Sequence, residues 1–286
     1  MSRRVLVTGG ASGLGAALAA GFARQGDRVL VTDRAAEPGT LPATAAYQRL
    51  DVTSDADWAA ARTRVEEEWG GLDVLVNNAG VAAGGRIDVL TLEDWRWITD
   101  INLFGVVRGC RTFTPVLKGQ RSGHIVNIAS MAGLVHPPGS ASYNAVKAAV
   151  VALSETLRHE LTPYGITTSV VCPSYFRTNL ADSLPGSDPL MEKMASRLIT
   201  RSRLDADAVA AIVLEGVRKG RGVVLTDRAG RRAYWSKRLL RPLYDRQMHA
   251  FGRRIHRDAE DGAAPGTGRT GGGTGSGRES GKHEGQ

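Results

Sequence analysis

The sequence predicts an α/β fold in which a doubly wound parallel sheet carries helices on both faces. Strand-sized apolar runs alternate with helical patterns as far as Thr226, and this alternation favours parallel strands joined by crossover helices. The hydrophobic content of 42% is enough for a substantial core. No internal repeat is visible, and no linker precedes residue 258, so residues 1–230 are predicted to form a single domain.

The first elements follow from the spacing of apolar residues. RVLVT (4–8) is rich in β-branched residues and predicts a strand, and the alanine-rich segment 13–26 predicts a helix that ends at a glycine. Segment 27–33 predicts a buried strand, and 47–50 predicts a weaker one.

The remaining elements continue the alternation. A capped amphipathic helix is predicted at 54–70, because its apolar residues fall on one stripe: Trp58, Ala61, Val65 and Trp69. Further strands are predicted at 72–80, 123–130, 166–174 and 222–226, and further helices at about 92–118, 142–162 and 204–219. Right-handed crossovers between such strands leave few topologies.

Composition excludes several classes of protein. No window near the start is apolar enough to span a bilayer, and the chain begins without an apolar leader, so we expect a cytoplasmic protein. Cys110 and Cys172 lie far apart in apolar contexts and are predicted to be reduced core residues. The six histidines show no ligand spacing, so no metal site is expected.

The net charge of +8 is concentrated in one segment. Residues 218–257 hold 13 Lys and Arg against 2 Asp and Glu, so this segment carries +11 and the rest of the chain carries −3. No nucleic-acid motif accompanies the charge, and no nucleic-acid partner is expected. Residues 258–286 are glycine-rich and are predicted to be a disordered tail.

The end of the first strand carries a glycine-rich loop, TGGASGLG (8–15), that opens directly into a helix. Such a loop lets the backbone approach a pyrophosphate, while the helix N–H groups face the anion. The second strand ends at Asp33, whose carboxylate can bind both hydroxyls of an adenosine ribose and would repel a 2′-phosphate. Two alternatives remain: Asp33 can be a turn residue, and the neighbouring Arg34 can pair with a 2′-phosphate.

The segment YNAVK (143–147) places a phenol and an ammonium four residues apart, on one face of a predicted helix. Taken alone, this spacing favours a packed surface pair, because Tyr and Lys occur four residues apart by chance in many helices. Other motifs occur with it in a fixed order: TGGASGLG, Asp51-Val52, NNAG (77–80), Asn102, Ser130, YNAVK and Pro173 to Thr178. Together they resemble the standard-length branch of the short-chain dehydrogenase/reductase family, over roughly residues 3–227, and the resemblance implies a Rossmann-like domain.

The resemblance implies a catalytic set of four residues: Asn102, Ser130, Tyr143 and Lys147. Tyr143 would be the general acid/base, with its pKa lowered by the Lys147 ammonium and the positive nicotinamide ring. Ser130 would hold the substrate oxygen. Asn102 would bind a water linking Lys147 to solvent, or be a buried residue satisfied by helix backbone, or both.

The resemblance also implies NAD as cofactor, with NADP as the alternative. The contacts would come from Gly9, Ser12, Gly13, Leu14, Gly15, Asp33, Arg34, Asp51, Val52, Asn77, Ala79, Gly80, Tyr143, Lys147, Pro173 and Thr178. The chain departs from the family in one place, because Ser174 stands where a glycine is usual, and its side chain is expected to narrow the floor of the site.

The substrate is expected to be a small apolar secondary alcohol, ketone or aldehyde. Residues 179–202 occupy the family's substrate lid, and its inner face is predicted to be apolar: Leu180, Leu184, Leu190, Met191, Met194 and Leu198. His136 is expected to lie near the pocket mouth, as a residue that lines the substrate or as one that transfers protons. The alternative function is a catalytically silent nucleotide-binding sensor or scaffold, and a homodimer or homotetramer is expected in either case.

The basic segment 231–257 is predicted to be an amphipathic helical extension. Its apolar stripe comprises Leu239, Leu240, Leu243, Tyr244, Met248 and Phe251, and it is interrupted by Pro242. One interpretation packs this helix on the domain or on a neighbouring subunit. The other places it against an anionic membrane as a peripheral contact.

Overall fold

The computed structural model describes residues 2–184 and 187–263, and the side chains of all these except 181 and 261–263. Seven parallel strands form one sheet in the order β3-β2-β1-β4-β5-β6-β7. Their bounds are β1 Arg4–Thr8, β2 Arg28–Asp33, β3 Ala45–Arg49, β4 Val74–Asn77, β5 Gly123–Ile128, β6 Ile166–Cys172 and β7 Val223–Leu225. The prediction of a doubly wound parallel sheet in one domain is confirmed.

Ten α-helices connect or follow these strands within the described residues. They are α1 Gly13–Arg24, α2 Asp55–Trp69, α3 Leu92–Thr99, α4 Gly105–Gln120, α5 Ala132–Val135, α6 Ala141–Leu161, α7 Pro189–Thr200, α8 Ala206–Arg218, α9 Arg228–Leu239 and α10 Arg241–Ala263. The single helix expected over 92–118 is instead two helices, α3 and α4, joined by a π-helical turn at Asp100–Phe104. Such turns occur frequently at functional sites.

The two faces of the sheet bury two separate clusters of apolar side chains. On β1, Leu6 faces the cluster that contains Trp58 of α2 and Phe113 of α4. Val5 and Val7, which point to the opposite face, pack with Phe22 of α1 in the other cluster. This alternation follows from the period of two along a strand, and burial on both faces explains why the strands read as continuous apolar runs.

The strand order reverses between β1 and β4, which lie side by side at the centre of the sheet. β1 pairs with β2 on one side and β4 on the other, with Val5 opposite both Val29 and Val74. Crossovers leave β1 towards one half of the sheet and β4 towards the other, so a crevice opens beyond their carboxyl ends. Ligands of open α/β sheets bind at this position.

The basic extension forms two helices, not one. Leu240 leaves the helical conformation (φ −126°, ψ 48°) between α9 and α10, because Pro242 lacks an N–H and its ring restricts the preceding residues. The predicted stripe is therefore divided. Tyr244 is buried, whereas Leu239 and Leu243 are exposed.

On α10 the predicted stripe is kept except at Leu243, and Ile255 extends it. Tyr244 and Ile255 are buried, and Met248 and Phe251 between them are half-buried. The helix continues to Ala263, so the first residues assigned to the disordered tail are helical, and the rest of that tail lies outside the described residues. No helix in residues 2–184 and 187–263 is long and apolar enough to cross a membrane.

Candidate active site and cofactor cleft

The glycine loop lies at the central crevice and is fixed by close backbone contacts. Gly9 and Gly13 have φ of +62° and +53°, in the left-handed region that glycine adopts at little cost. A Cβ on Gly15 would lie 2.1 Å from the carbonyl oxygen of Gly9, and a Cβ on Gly9 would lie 2.8 Å from Cα of Ala79. The loop therefore forms a cradle of bare backbone at the start of α1, and this cradle fits a pyrophosphate.

Two residues that the sequence analysis did not select hold this loop in place. The Asn78 amide donates to the carbonyl oxygens of Thr8 (2.9 Å) and Gly9 (3.1 Å). The Thr8 hydroxyl accepts from the backbone N–H groups of Asn78 and Ala79, both at 3.0 Å. The two adjacent asparagines of NNAG indicated that one of them could contact the glycine loop. The sequence did not show which of the two does so.

The structure corrects the assignment of Asn77. Its side chain is buried beneath the cleft, where Nδ2 donates to Asn127 Oδ1 at 2.8 Å. A Cβ on Gly109 of α4 would lie 2.2 Å from Asn77 Oδ1, so the amide points toward that helix and away from the glycine loop. The Asn77 side chain therefore belongs to the interior and does not line the cleft.

The other side of the loop meets the segment that follows β6. Ser12 precedes α1 with an exposed side chain, and Leu14 packs into the core below. A Cβ on Gly13 would lie 2.8 Å from the Thr178 hydroxyl oxygen. The structure thus brings Thr178 to the glycine loop.

The Asp33 carboxylate lies beside the glycine loop at the end of β2. It accepts from the backbone N–H groups of Ala11 (3.2 Å) and Ala35 (3.4 Å). Arg34 is exposed, and its charge acts on Asp51. This arrangement leaves carboxylate acceptor capacity at the position where an adenosine ribose would lie.

Asp51 and Val52 follow the end of β3. The side chains of both are mainly engaged in contacts within the protein. The Thr53 N–H and hydroxyl donate to Asp51 Oδ1 at 2.9 and 2.7 Å, and these bonds lower the pKa of the carboxyl. Val52 packs against α4, where a Cβ on Gly105 would lie 2.9 Å from it. Only 9% of Val52 is exposed, so any contact with an adenine is limited to an edge of the side chain.

Ser130, Tyr143 and Lys147 converge beyond the end of β5. Lys147 is buried, and its Nζ donates to the carbonyl oxygen of Ile128 at 3.0 Å. The ammonium lies 5.8 Å from the centre of the Tyr143 ring, and the Ser130 hydroxyl is near enough to Tyr143 to favour a lower pKa of the phenol. The helical spacing of YNAVK and the loop after β5 therefore place a phenol, a hydroxyl and an amine at one point.

The protein's own groups do not lower the pKa of Tyr143 as the sequence had suggested. Burial raises the pKa of Tyr143 to about 12, against the opposing effect of the Ser130 hydrogen bond. Burial also lowers the pKa of Lys147 to about 8. Near neutral pH, Tyr143 is therefore a protonated phenol in this environment, which is the form that can donate a proton.

Asn102 lies in the π-helical turn and faces the same point. Its Oδ1 accepts from the Val81 N–H (2.8 Å), and its Nδ2 donates to the Val81 carbonyl oxygen (2.9 Å). A Cβ on Gly80 would lie 2.9 Å from Asn102 Oδ1 and 3.7 Å from Lys147 Nζ. Asn102 is thus satisfied by loop backbone, not helix backbone, and Gly80 leaves open the space between it and Lys147.

Pro173 and Ser174 follow β6 at the floor of the site. The Pro173 carbonyl oxygen accepts from the Met131 N–H at 2.9 Å, which joins this floor to the loop after β5. A Cβ on Gly230 would lie 2.8 Å from the Ser174 hydroxyl oxygen. The Ser174 side chain therefore points toward α9, and the expectation that it narrows the floor is wrong.

The segment expected to form the substrate lid, residues 179–202, packs against the loop after β4 and against Gly139. Asp188 at the start of α7 is fully buried and accepts from the N–H and Nε of Arg86, at 3.0 and 2.9 Å. Met191 of the lid is buried against the loop at Gly139. The predicted inner face is wrong at Leu198, which is 44% exposed, because the helix turns the neighbouring Ile199 inward.

His136 lies between α5 and α9. Its Nε2 is paired with the Gly133 carbonyl oxygen (3.1 Å) and its Nδ1 with Lys237 Nζ (2.6 Å). Burial and the nearby Lys237 ammonium lower the pKa of the imidazole. Both ring nitrogens are engaged in hydrogen bonds, so the side chain connects α5 to α9.

Reactive groups outside this cleft are few in the described part of the chain. Cys110 and Cys172 are buried, and burial raises the pKa of each thiol to about 12, so both are poor nucleophiles. No cluster of three or more potential ligands for a metal ion occurs among residues 2–184 and 187–263.

Comparison with known proteins agrees with this geometry. The family described as short chain dehydrogenase matches residues 3–188. A 2-(R)-hydroxypropyl-CoM dehydrogenase of Xanthobacter autotrophicus is 35% identical over 228 residues, which cover 75% of this chain and 90% of that protein. A 3-alpha-(or 20-beta)-hydroxysteroid dehydrogenase of Mycobacterium bovis is 37% identical over 63% of this chain and 71% of its own length.

A solved structure of a similar protein has the same fold. A short-chain dehydrogenase/reductase from Burkholderia phymatum, in complex with NAD, superposes with a TM-score of 0.73. It is 32% identical and covers 80% of this chain and 90% of its own. From the sheet order, the glycine cradle and these relatives together, we conclude that the chain belongs to the short-chain dehydrogenase/reductase family, whose members are nicotinamide-dependent oxidoreductases.

Proposed function

We propose that the protein transfers a hydride between a nicotinamide cofactor and an apolar secondary alcohol, ketone or aldehyde. The observation that carries this proposal is the meeting of Ser130, Tyr143 and Lys147 beside a cradle of bare backbone. The cofactor, when bound, supplies or accepts the hydride. Gly9, Gly13 and Gly15 would hold its phosphates, and Asp33 would hold its adenosine ribose.

Tyr143 is assigned as the group that exchanges a proton with the substrate oxygen. The raised pKa favours the phenol, which is suited to protonating a carbonyl oxygen during reduction. Ser130, whose hydroxyl acts on the pKa of Tyr143, would donate to the same oxygen and stabilise its developing negative charge. Oxidation requires the phenolate, whose formation at working pH needs additional positive charge near Tyr143.

Lys147 and Asn102 are assigned to proton supply. A carbonyl-type oxygen has two lone pairs, and the Val81 N–H uses only one on Asn102 Oδ1. The remaining lone pair borders the space beside Gly80 that Lys147 also faces. A water in this space would connect the buried amine to solvent, so that Tyr143 could be reprotonated after each turnover.

The function is tested by mixing the full chain with NADH or NADPH and a panel of apolar ketones and aldehydes. The reverse direction uses the matching alcohols with NAD or NADP. Nicotinamide fluorescence reports the turnover, and sugars or phosphorylated acids serve as the polar comparison set. Turnover of the apolar set supports the proposal, and turnover of the polar set alone contradicts the substrate class.

The relatives support the choice of an alcohol or ketone, because one is named a 2-(R)-hydroxypropyl-CoM dehydrogenase and another a hydroxysteroid dehydrogenase. The buried Met191 and the half-buried Leu180 and Leu190 support an apolar pocket wall. The alternative is a silent nucleotide-binding sensor. It predicts cofactor binding without turnover across the whole panel.

We expect Asp33→Ala to reduce kcat/KM with NAD by roughly 10- to 100-fold, because a charged hydrogen bond to the ribose is lost. The kcat/KM with NADP should change little or rise, because the variant lacks the carboxylate that would repel a 2′-phosphate. Both cofactors are measured for the wild type and the variant. Glu37→Ala, which removes an exposed acid four residues further on, is the control.

A wild-type preference for NADP would contradict the assignment of Asp33 as the selecting residue. In that case Arg34→Ala should reduce kcat/KM with NADP more than Asp33→Ala reduces kcat/KM with NAD.

We propose that the protein assembles as a homodimer through α4 and α6. A groove between these helices is lined by Val107, Cys110, Arg111, Thr114, Pro115, Lys118, Leu153 and Leu157. Its apolar side chains, Val107, Pro115, Leu153 and Leu157, are suited to burial against a second copy, while Arg111 and Lys118 can stay at the rim in contact with solvent. Light scattering should give twice the mass of one chain, and a larger multiple would indicate the homotetramer. A monomer would contradict both.

A further inference from the structure

The junction between α9 and α10 exposes four large apolar side chains, and we call this group the apolar corner. Trp235 is 52% exposed, Leu239 71%, Leu240 55% and Leu243 50%. Trp235 and Leu239 are four residues apart on α9 and share one face. Leu240 and Leu243 continue the patch around the bend that Pro242 introduces. All four side chains are therefore at least half exposed on either side of one bend in the chain.

A basic surface surrounds the apolar corner. Residues 228–257 contain ten Lys and Arg and one acid, Asp245, for a net charge of +9. Arg231, Arg232, Arg238 and Arg246 are exposed. Arg238 also lies over the ring of Tyr234, at 4.5 Å from its centre, which keeps this guanidinium beside the corner. An exposed Trp and three exposed Leu, next to exposed arginines, are complementary to an interface that is anionic outside and apolar beneath.

The inner faces of the same two helices are bonded to α5 and pack against the loop that follows it. Lys237 donates to the Leu134 carbonyl oxygen at 2.7 Å, and the Tyr244 hydroxyl donates to the Val135 carbonyl oxygen. Ile255 reaches the loop at Gly139, where Met191 of the lid also packs. The helices that carry the apolar corner therefore also contact α5 and the loop after it. A surface that binds the apolar corner would lie close to the proposed active site.

We propose that the apolar corner inserts into the surface of an anionic lipid bilayer, and that the surrounding arginines bind its headgroups. The enzyme is held at the interface and does not cross it. A second copy of this chain is a poorer occupant, because it would bring an equally basic surface against this one. The consequence is that an apolar substrate dissolved in the bilayer is concentrated close to the pocket.

The test is co-sedimentation of the full chain with vesicles of phosphatidylcholine alone, or of phosphatidylcholine mixed with phosphatidylglycerol. We expect sedimentation with the anionic vesicles only, and weaker binding as salt is raised, because salt screens the arginine contacts. Failure to sediment with anionic vesicles at low salt overturns the proposal. Equal binding to both vesicle types also overturns it, since the charge would then play no part.

Substitutions locate the contact. Leu239→Ser combined with Leu243→Ser should lower the vesicle partition coefficient by roughly tenfold or more, while net charge is unchanged. Leu92→Ser on α3, whose side chain is 72% exposed, is the matched control and should bind like the wild type. Equal binding by the double variant overturns the assignment of the corner.

Two further measurements separate membrane insertion from misfolding of the double variant and from self-association. Trp235 should be quenched by brominated lipid, and the quenching should fall in Trp235→Phe, a variant that retains the aromatic packing. No quenching difference between this variant and wild type overturns the inserted geometry. If the double leucine variant has a lower mass in solution than the wild type, the corner binds a second copy and the membrane proposal is wrong.

Discussion

Tyr143→Phe is expected to lower kcat by a factor of about 10² to 10⁴, the range that a general acid or base contributes, while cofactor binding persists. The substitution removes only the phenolic hydroxyl and keeps the ring that packs 5.8 Å from the Lys147 ammonium. The proton for the substrate oxygen then has no donor except water. Ser130 can still bind that oxygen, so we expect the loss in kcat with little change in KM.

The measurement is turnover with any accepted substrate, together with NADH binding followed by fluorescence. Tyr164→Phe is the matched control, because it removes a phenolic hydroxyl from a ring that packs under Lys118, outside the site. Tyr143→Phe activity within a few-fold of wild type would falsify the assignment of Tyr143. Loss of both turnover and NADH binding would instead indicate a structural role.

Gly15→Ala should remove cofactor binding and destabilise the fold by about 1–3 kcal/mol, the usual cost of overpacking. The new Cβ would lie 2.1 Å from the Gly9 carbonyl oxygen and 2.5 Å from Asn78 Nδ2. The glycine loop must move to relieve this contact, and its movement breaks the Asn78 hydrogen bonds that hold the loop. The pyrophosphate cradle is then distorted even in the fraction that folds.

Thermal unfolding and NADH titration measure the two effects of Gly15→Ala separately. Gly119→Ala is the control, because a Cβ there meets nothing within 4 Å and alanine favours a helix. We expect that control to be neutral or slightly stabilising. Tight NADH binding by a well-folded Gly15→Ala protein would show that the loop does not hold the phosphates.

The fold and the position of the site were predictable because they depend on short-range signals. The glycine loop requires φ values that only certain residues adopt, and Asp33 ends a run whose apolar pattern marks the strand. The different positions of the Asn77 and Asn78 side chains, one in the interior and one at the glycine loop, were not predictable in this way. A change of one residue in register exchanges the two faces of a strand, and the chain offers an asparagine on each.

The pKa of Tyr143 and the exposure of the extension depend on long-range packing. Spacing placed Lys147 beside Tyr143, but it did not reveal that the ammonium is committed to the Ile128 carbonyl oxygen or that burial dominates the titration. In the extension, periodicity treated Leu239 and Tyr244 as one stripe. The break before Pro242 turned the first to solvent and the second inward.

The buried side chains beneath the cleft have a consequence for attempts to make this enzyme more heat-tolerant. Asn77 donates to Asn127, Asn127 donates to the Ser154 hydroxyl at 2.9 Å, and Ser154 lies on α6 about three turns beyond Tyr143. Apolar repacking is a common route to greater stability. Here apolar residues would remove the hydrogen bonds that fix the position of α6 on the sheet. The melting temperature would then rise while the alignment of Tyr143 became worse.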